Sequence, residues 1–201
     1  MQNILQSLRN TVIAGFVLVV IAIIIVGATV STPSFGHDWF AFFFRWLHVL
    51  SGVMWIGHLW YFNFTQMPSM PKIPDEQKPA ITKVIAPEAL FWFRWGAMAT
   101  IITGLILAAM NGYIGDAILL GFTDGGASTP IGIGMWLGAI MWFNVWFVIW
   151  PNQQKALGLV EADADTKKKA ARIAMLFSRV NTMLSIPMLY CMVAAQNGGF
   201  A

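Results

Sequence analysis

The chain has 201 residues, 58% of them hydrophobic and only 10% charged, with three histidines and one cysteine. Soluble globular domains carry about a quarter charged residues, so this composition excludes that class and indicates an integral membrane protein. The net charge of +3 is not gathered on a polar face of the kind that binds nucleic acid. The lone Cys191 lies in an apolar run, so the chain has no internal disulfide framework.

A hydrocarbon core of about 30 Å takes about 20 helical residues to cross. Five apolar segments are long enough, at about residues 11–30, 39–64, 87–110, 131–150 and 172–196. The expected fold is therefore all-α: a polytopic membrane helical bundle of five transmembrane helices, forming a single membrane domain over 1–201. The first segment follows Arg9 and superficially resembles a signal peptide. Its apolar core of about 18 residues exceeds the usual h-region of about 7–15, so it reads as a retained first helix.

The second segment, WFAFFFRWLHVLSGVMWIGHLWYFNF, carries Arg45, His48 and His58 within a span otherwise apolar enough for lipid. Ionisable groups there are costly and mark a functional site or an internal polar contact. The connection after it, MPSMPKIPDEQKP, is proline-rich and is expected to be irregular or to lie along the membrane surface. Met67 and Met70 within it resemble a soft-metal pair for copper, a weaker reading than an ordinary interfacial loop. The third and fourth segments carry small residues at helical spacing (Gly104, Ala108 and Gly112; Gly134 and Gly138), which lets helix backbones approach closely. Gly125-Gly126 reads as a turn. ADADTKKKAARIAMLF before the last segment reads as a helix start with Asp165 or Thr166 as N-cap.

The loops orient these segments. Arg9, Lys72, Lys78, Lys83, Lys155, Lys167, Lys168, Lys169 and Arg172 all fall at one end of the segments, while the other end holds Asp38, Asp116, Asp124 and His37. The positive-inside rule then gives N-terminus in and C-terminus out. With a rise of about 1.5 Å per residue, His58, Arg94, Asn144, Arg179 and Asn181 fall at similar depth in the inner half. Together they are expected to form a buried polar layer, with Glu88 at its rim. It would serve either as a site for an anionic or redox-active group or as contacts between helices. Arg45 and His48 fall toward the opposite side.

The histidines suggest haem, and geometry limits the suggestion. His48 and His58 are ten residues apart, about 15 Å along one helix, whereas two axial ligands of one iron sit only about 4 Å apart at Fe–N distances near 2 Å. They cannot share a haem. A haem here would take a second ligand from a methionine (Met98, Met141 and Met183 are candidates), from another chain, or none. His48 and His58 lie some 80° apart around the helix with Ser51, Trp55 and Phe62, on a face expected to pack inside the bundle. No paired carboxylates, activated nucleophile or phosphate-binding loop stands out, so the chain does not read as catalytic on its own.

Four blocks carry a family resemblance: RWLHVLSGVMWIG at 45–57, FRWGAMATIITGLIL at 93–107, FNVWFVIWPNQQKAL at 143–157 and SRVNTMLSIPMLYCM at 178–192. They resemble, in order and spacing, the membrane-embedded N-terminal domain of bacterial cytochrome-c-linked urate oxidases. Asn181, Thr182, Pro187 and Met192 are the most specific part. The resemblance implies a multi-pass redox protein of the bacterial inner membrane, with His48 as the matching histidine. Full members add further helices and a cytochrome c domain. This sequence has no C-x-x-C-H for a c-type haem, and Val180 stands where the family pattern has a histidine before Asn-Thr. The expected function is an accessory subunit of a larger redox or respiratory membrane complex, partnered by lipid and by other membrane subunits. The alternatives are an electron-transfer protein binding haem b or a quinone through His48, and a urate oxidase-like enzyme.

Overall fold

The computed structural model describes residues 2–30 and 34–200, all-α among the described residues. Five helices are long and apolar enough to cross a membrane: α1 (Leu8–Thr29), α2 (His37–Lys72), α3 (Lys78–Met110), α4 (Thr129–Ala156) and α5 (Ala164–Asn197). The chain divides into two units, residues 1–42 and 43–201. In the first unit, α1 follows a single turn at Gln2–Leu5 and is capped by Ser7, whose side chain accepts from the Asn10 amide. Phe35 meets Trp39 edge-on at the start of α2.

In the second unit, α2 to α5 share one core. Trp55, Ile56, Leu59 and Phe62 of α2 meet Leu90, Phe93 and Ala97 of α3, Met141, Val145 and Ile149 of α4, and Ala174 and Met188 of α5. Large apolar side chains on the other faces, such as Val53, Phe64, Val84 and Met183, are exposed. Glycines set the closest approaches. A Cβ on Gly134 would come within 3.2 Å of the Met192 side chain, so this glycine lets α4 and α5 close up.

The helices overrun their expected limits at the lysine-rich end. α2 continues through the proline-rich stretch to Lys72 and α3 resumes at Lys78, leaving only about five residues between them. The expected long irregular loop is therefore replaced by helix. Prolines explain how. A proline lacks the N–H that would bond the carbonyl four residues back, and its ring crowds that carbonyl. Pro68, Pro87 and Pro151 sit four residues after Phe64, Lys83 and Phe147. Each of those residues lies in a widened π-helical turn, at Tyr61–Gln66, Ile81–Ile85 and Asn144–Ile149. Amides of Met67, Ala86 and Trp150 close these turns on carbonyls five residues back, at Phe62, Ile81 and Val145. The helix absorbs the proline by widening. Pro187 sits within α5 with no such turn.

α5 also begins earlier than expected. Its N-cap is Asp163, not Asp165 or Thr166: Asp163 Oδ1 accepts from the Thr166 amide at 2.8 Å and Oδ2 from the Thr166 hydroxyl at 2.7 Å. The side-chain bond from Thr166 and then its backbone amide hold the Asp163 carboxyl below the usual carboxylate range. Between α3 and α4, a short helix at Ile114–Ile118 and a tight loop follow Gly112, whose φ is +76°. Gly125 and Gly126 have φ of +70° and +97°, forming the turn read from the sequence.

Candidate functional site

His48 is half-buried against α3. Its Nδ1 lies 2.9 Å from the carbonyl oxygen of Thr100 and 3.4 Å from Thr103 Oγ1. A carbonyl only accepts, so Nδ1 carries the proton, and in the neutral ring the lone pair is then on Nε2. Gly104 forms the floor of this seat: a Cβ there would stand 2.8 Å from His48 Cε1. The glycine read as a helix-packing position therefore makes room for an imidazole. A histidine that donates one ring nitrogen to a carbonyl and keeps the other free has the orientation seen in metal-ligating histidines. No partner is found for Nε2 among the described residues.

His58 has a different setting. Its Nδ1 lies 2.8 Å from the Met54 carbonyl one turn back in the same helix. No neighbouring helix fixes its ring, although it too keeps Nε2 unshared among the described residues. The face shared by the two histidines lies partly inside the bundle, with Trp55 and Phe62 buried.

The expected polar layer divides. Asn144 Nδ2 donates to Asn181 Oδ1 at 2.8 Å, and Asn181 Nδ2 donates to the Met141 carbonyl at 2.9 Å, with both side chains buried. Arg94 does not join them. It stacks on α4, with its guanidinium carbon 3.2 Å from the Trp150 ring centroid and 5.8 Å from that of Trp146, and its Nε donates to the Leu90 carbonyl at 3.2 Å. Arg179 lies exposed on the outer face of α5, beside the equally exposed Val180. Glu88 is exposed and accepts from Trp92 Nε1 at 3.0 Å. Arg45 is exposed as well.

Other residues, not singled out in the sequence, complete this level. Trp60 Nε1 donates to Ser185 Oγ at 3.1 Å, and Asn63 Nδ2 donates to Ser178 Oγ at 2.8 Å, so α2 is pinned to α5 twice. Ser178 and Ser185 are spaced seven apart on the buried face of α5. That spacing was the available signal, obscured because small hydroxyls are common in membrane helices. For a second haem ligand, Met183 is exposed, Met141 is buried beside Asn181, and Met98 is half-buried. Among the described residues no group of three or more His, Cys, Asp or Glu could hold a metal ion.

The family model described as "Urate oxidase N-terminal" matches residues 121–198. This supports the family resemblance seen in the sequence, over the loop before α4 and through α5; α2 with His48 lies outside the matched stretch. No curated protein and no solved structure matches the chain.

Proposed function

We propose that this chain is a small integral subunit of a larger redox assembly in the bacterial inner membrane, and that its own contribution to electron transfer is His48. One observation carries the reading: His48 Nδ1 is committed to the Thr100 carbonyl at 2.9 Å, which leaves Nε2 as a fixed, unshared electron pair. The urate oxidase N-terminal match supports the redox setting. The lysines and arginines at one end support N-terminus in and C-terminus out.

This tautomer discriminates between cofactors. Nε2 without a proton can ligate iron or accept from a hydroxyl, but it cannot donate to a quinone carbonyl. Haem b is therefore favoured over an oxidised quinone. Of the residues present, His48 would hold such a group, and α3, α4 and α5 contain no histidine to join it. A second axial ligand would come from a neighbouring subunit, which joins the redox reading to the accessory one. Haem iron supplies one-electron transfer when bound. The residues of this chain orient the ligand: Thr100 fixes the tautomer, Thr103 lies beside the same nitrogen, and Gly104 admits the ring. Urate oxidase-like activity has the family match in its favour, and Val180 in the histidine position of the family pattern against it.

The test purifies the native assembly through a tag on this chain. The reading expects co-migration with larger subunits on a native gel and a b-type band in the reduced-minus-oxidised spectrum. A chain that runs alone near its own mass of 22.3 kDa, without that band, overturns it.

A further inference from the structure

Arg94 stands apart from the asparagine pair, and its own setting is ordered. Its Nε donates to the Leu90 carbonyl at 3.2 Å, and its guanidinium carbon stands 3.2 Å from the Trp150 ring centroid. One hydrogen bond and one stacked face together fix the plane of the group. The two Nη atoms carry the other four N–H donors. Among the described residues they have no acceptor, and neither is among the buried unpartnered atoms, so both are accessible from outside the bundle. No carboxylate neutralises the charge. Glu88 is the only acidic residue of α3 and α4 has none, and Glu88 Oε1 accepts from Trp92 instead. Among the described residues the one ion pair joins Lys78 to Asp75.

The depth of the guanidinium limits what can pair with it. Its Nε reaches back one turn to Leu90. Leu90 is 20 residues before Met110, the end of α3, and Trp150 is 21 residues after Thr129, the start of α4. At about 1.5 Å per residue, each lies about 30 Å from the far end of its helix, the thickness of a hydrocarbon core. The guanidinium is therefore at the plane where lipid phosphates begin, at the lysine-rich end, and Trp92 and Trp150 near this level suit an aromatic belt. We propose that Arg94 and Trp150 form a seat for the phosphate group of an anionic lipid. The indole covers one face of the guanidinium, and the Nη edge donates to two phosphate oxygens side by side. A planar fork that stacks on an aromatic ring and bonds phosphate bidentately is the particular capability of arginine. Inorganic phosphate presents the same oxygens, but the plane of the site is that of the headgroups. Arg179 is the contrast: it is exposed, and no ring is stacked on it among the described residues. The seat does not involve His48 and does not depend on the redox reading.

Native mass spectrometry of the full chain, released from mild detergent, tests this by counting lipid bound per molecule as phosphatidylglycerol or phosphatidylcholine is titrated in. Phosphatidylcholine carries the same phosphate, but its choline offsets the charge. The seat predicts one phosphatidylglycerol bound with a half-saturation about tenfold lower than that of phosphatidylcholine. Arg94→Met is expected to raise the phosphatidylglycerol half-saturation about tenfold. Arg94→Lys, which keeps the charge but loses the fork, should raise it several-fold, and Arg179→Met should leave it unchanged. Equal binding of the two lipids by the unaltered protein, or the same loss in Arg94→Met as in Arg179→Met, overturns the seat. Unchanged binding in Arg94→Lys overturns the role of the stacked fork. Excess inorganic phosphate should not displace the phosphatidylglycerol; displacement from the unaltered protein overturns the lipid as the occupant in favour of free phosphate. Should Arg94→Met not fold, the comparison of the two lipids on the unaltered protein decides.

Discussion

Helix α2 carries His48 and His58 at two levels of its span, and their surroundings differ in kind. At His58 the neighbouring turns are rich in polar contacts between helices, with Trp60 on Ser185 and Asn63 on Ser178, yet His58 bonds only within its own helix. At His48 there are few polar groups, but they come from another helix and fix the ring. The lesson is that density of polar residues marks where a membrane bundle is held together. A site is marked instead by a group whose orientation is imposed from outside while one of its electron pairs stays unused.

If the two levels are distinct, they should fail in distinct ways. The largest loss of stability is expected for Asn181→Leu, which removes the acceptor for Asn144 and the donor for the Met141 carbonyl. Leaving buried groups unpaired should cost about 2–3 kcal/mol, measured by denaturant titration in mild detergent, with the spectrum per folded molecule unchanged. Gly104→Val should cost less, about 1–2 kcal/mol of overpacking. It pushes directly on the His48 ring and should abolish any chromophore that depends on it. Loss of the chromophore in Asn181→Leu but not in Gly104→Val would reverse the assignment of the two levels.

Smaller effects refine the lower level. Arg94→Met removes the stacking on Trp150, worth about 0.5–1 kcal/mol, and should leave the spectrum intact; a spectral change would bring Arg94 into the site. The smallest effect is at the start of α5. The Asp163 carboxyl is held below its ordinary range by Thr166. Its capping contribution is therefore complete above the ordinary carboxylate pKa of about 3.9 and is lost as pH falls through the lower folded value. Amide protection in the first turn of α5, relative to the intrinsic exchange rate at each pH, should fall in that acid range, and Asp163→Ala should show the lower protection at every pH.

Much of the fold was legible because lipid imposes a simple rule of length and apolarity. The helix ends at the lysine-rich side were not, because a proline-rich stretch such as MPSMPKIPDEQKP reads as irregular. Pro68, Pro87 and Pro151 instead widen α2, α3 and α4 and let them continue. The site was legible in part. Depth along the helices put Asn144 and Asn181 together, and the structure joins them. Depth carries no information on azimuth, however, so it also placed Arg94 and Arg179 in the layer, where one stacks on Trp150 and the other faces outward. Gly104 was noticed as a small residue. That it faces an imidazole depends on the rotation of α3 against α2, which spacing within either helix cannot supply.

The most direct measurement is the reduced-minus-oxidised visible spectrum of the assembly purified through this chain, compared between the unaltered protein and His48→Ala. The account predicts a b-type band that disappears in His48→Ala while the assembly still runs at its full size on a native gel. A band of equal strength in both proteins, or no band in either, would contradict it.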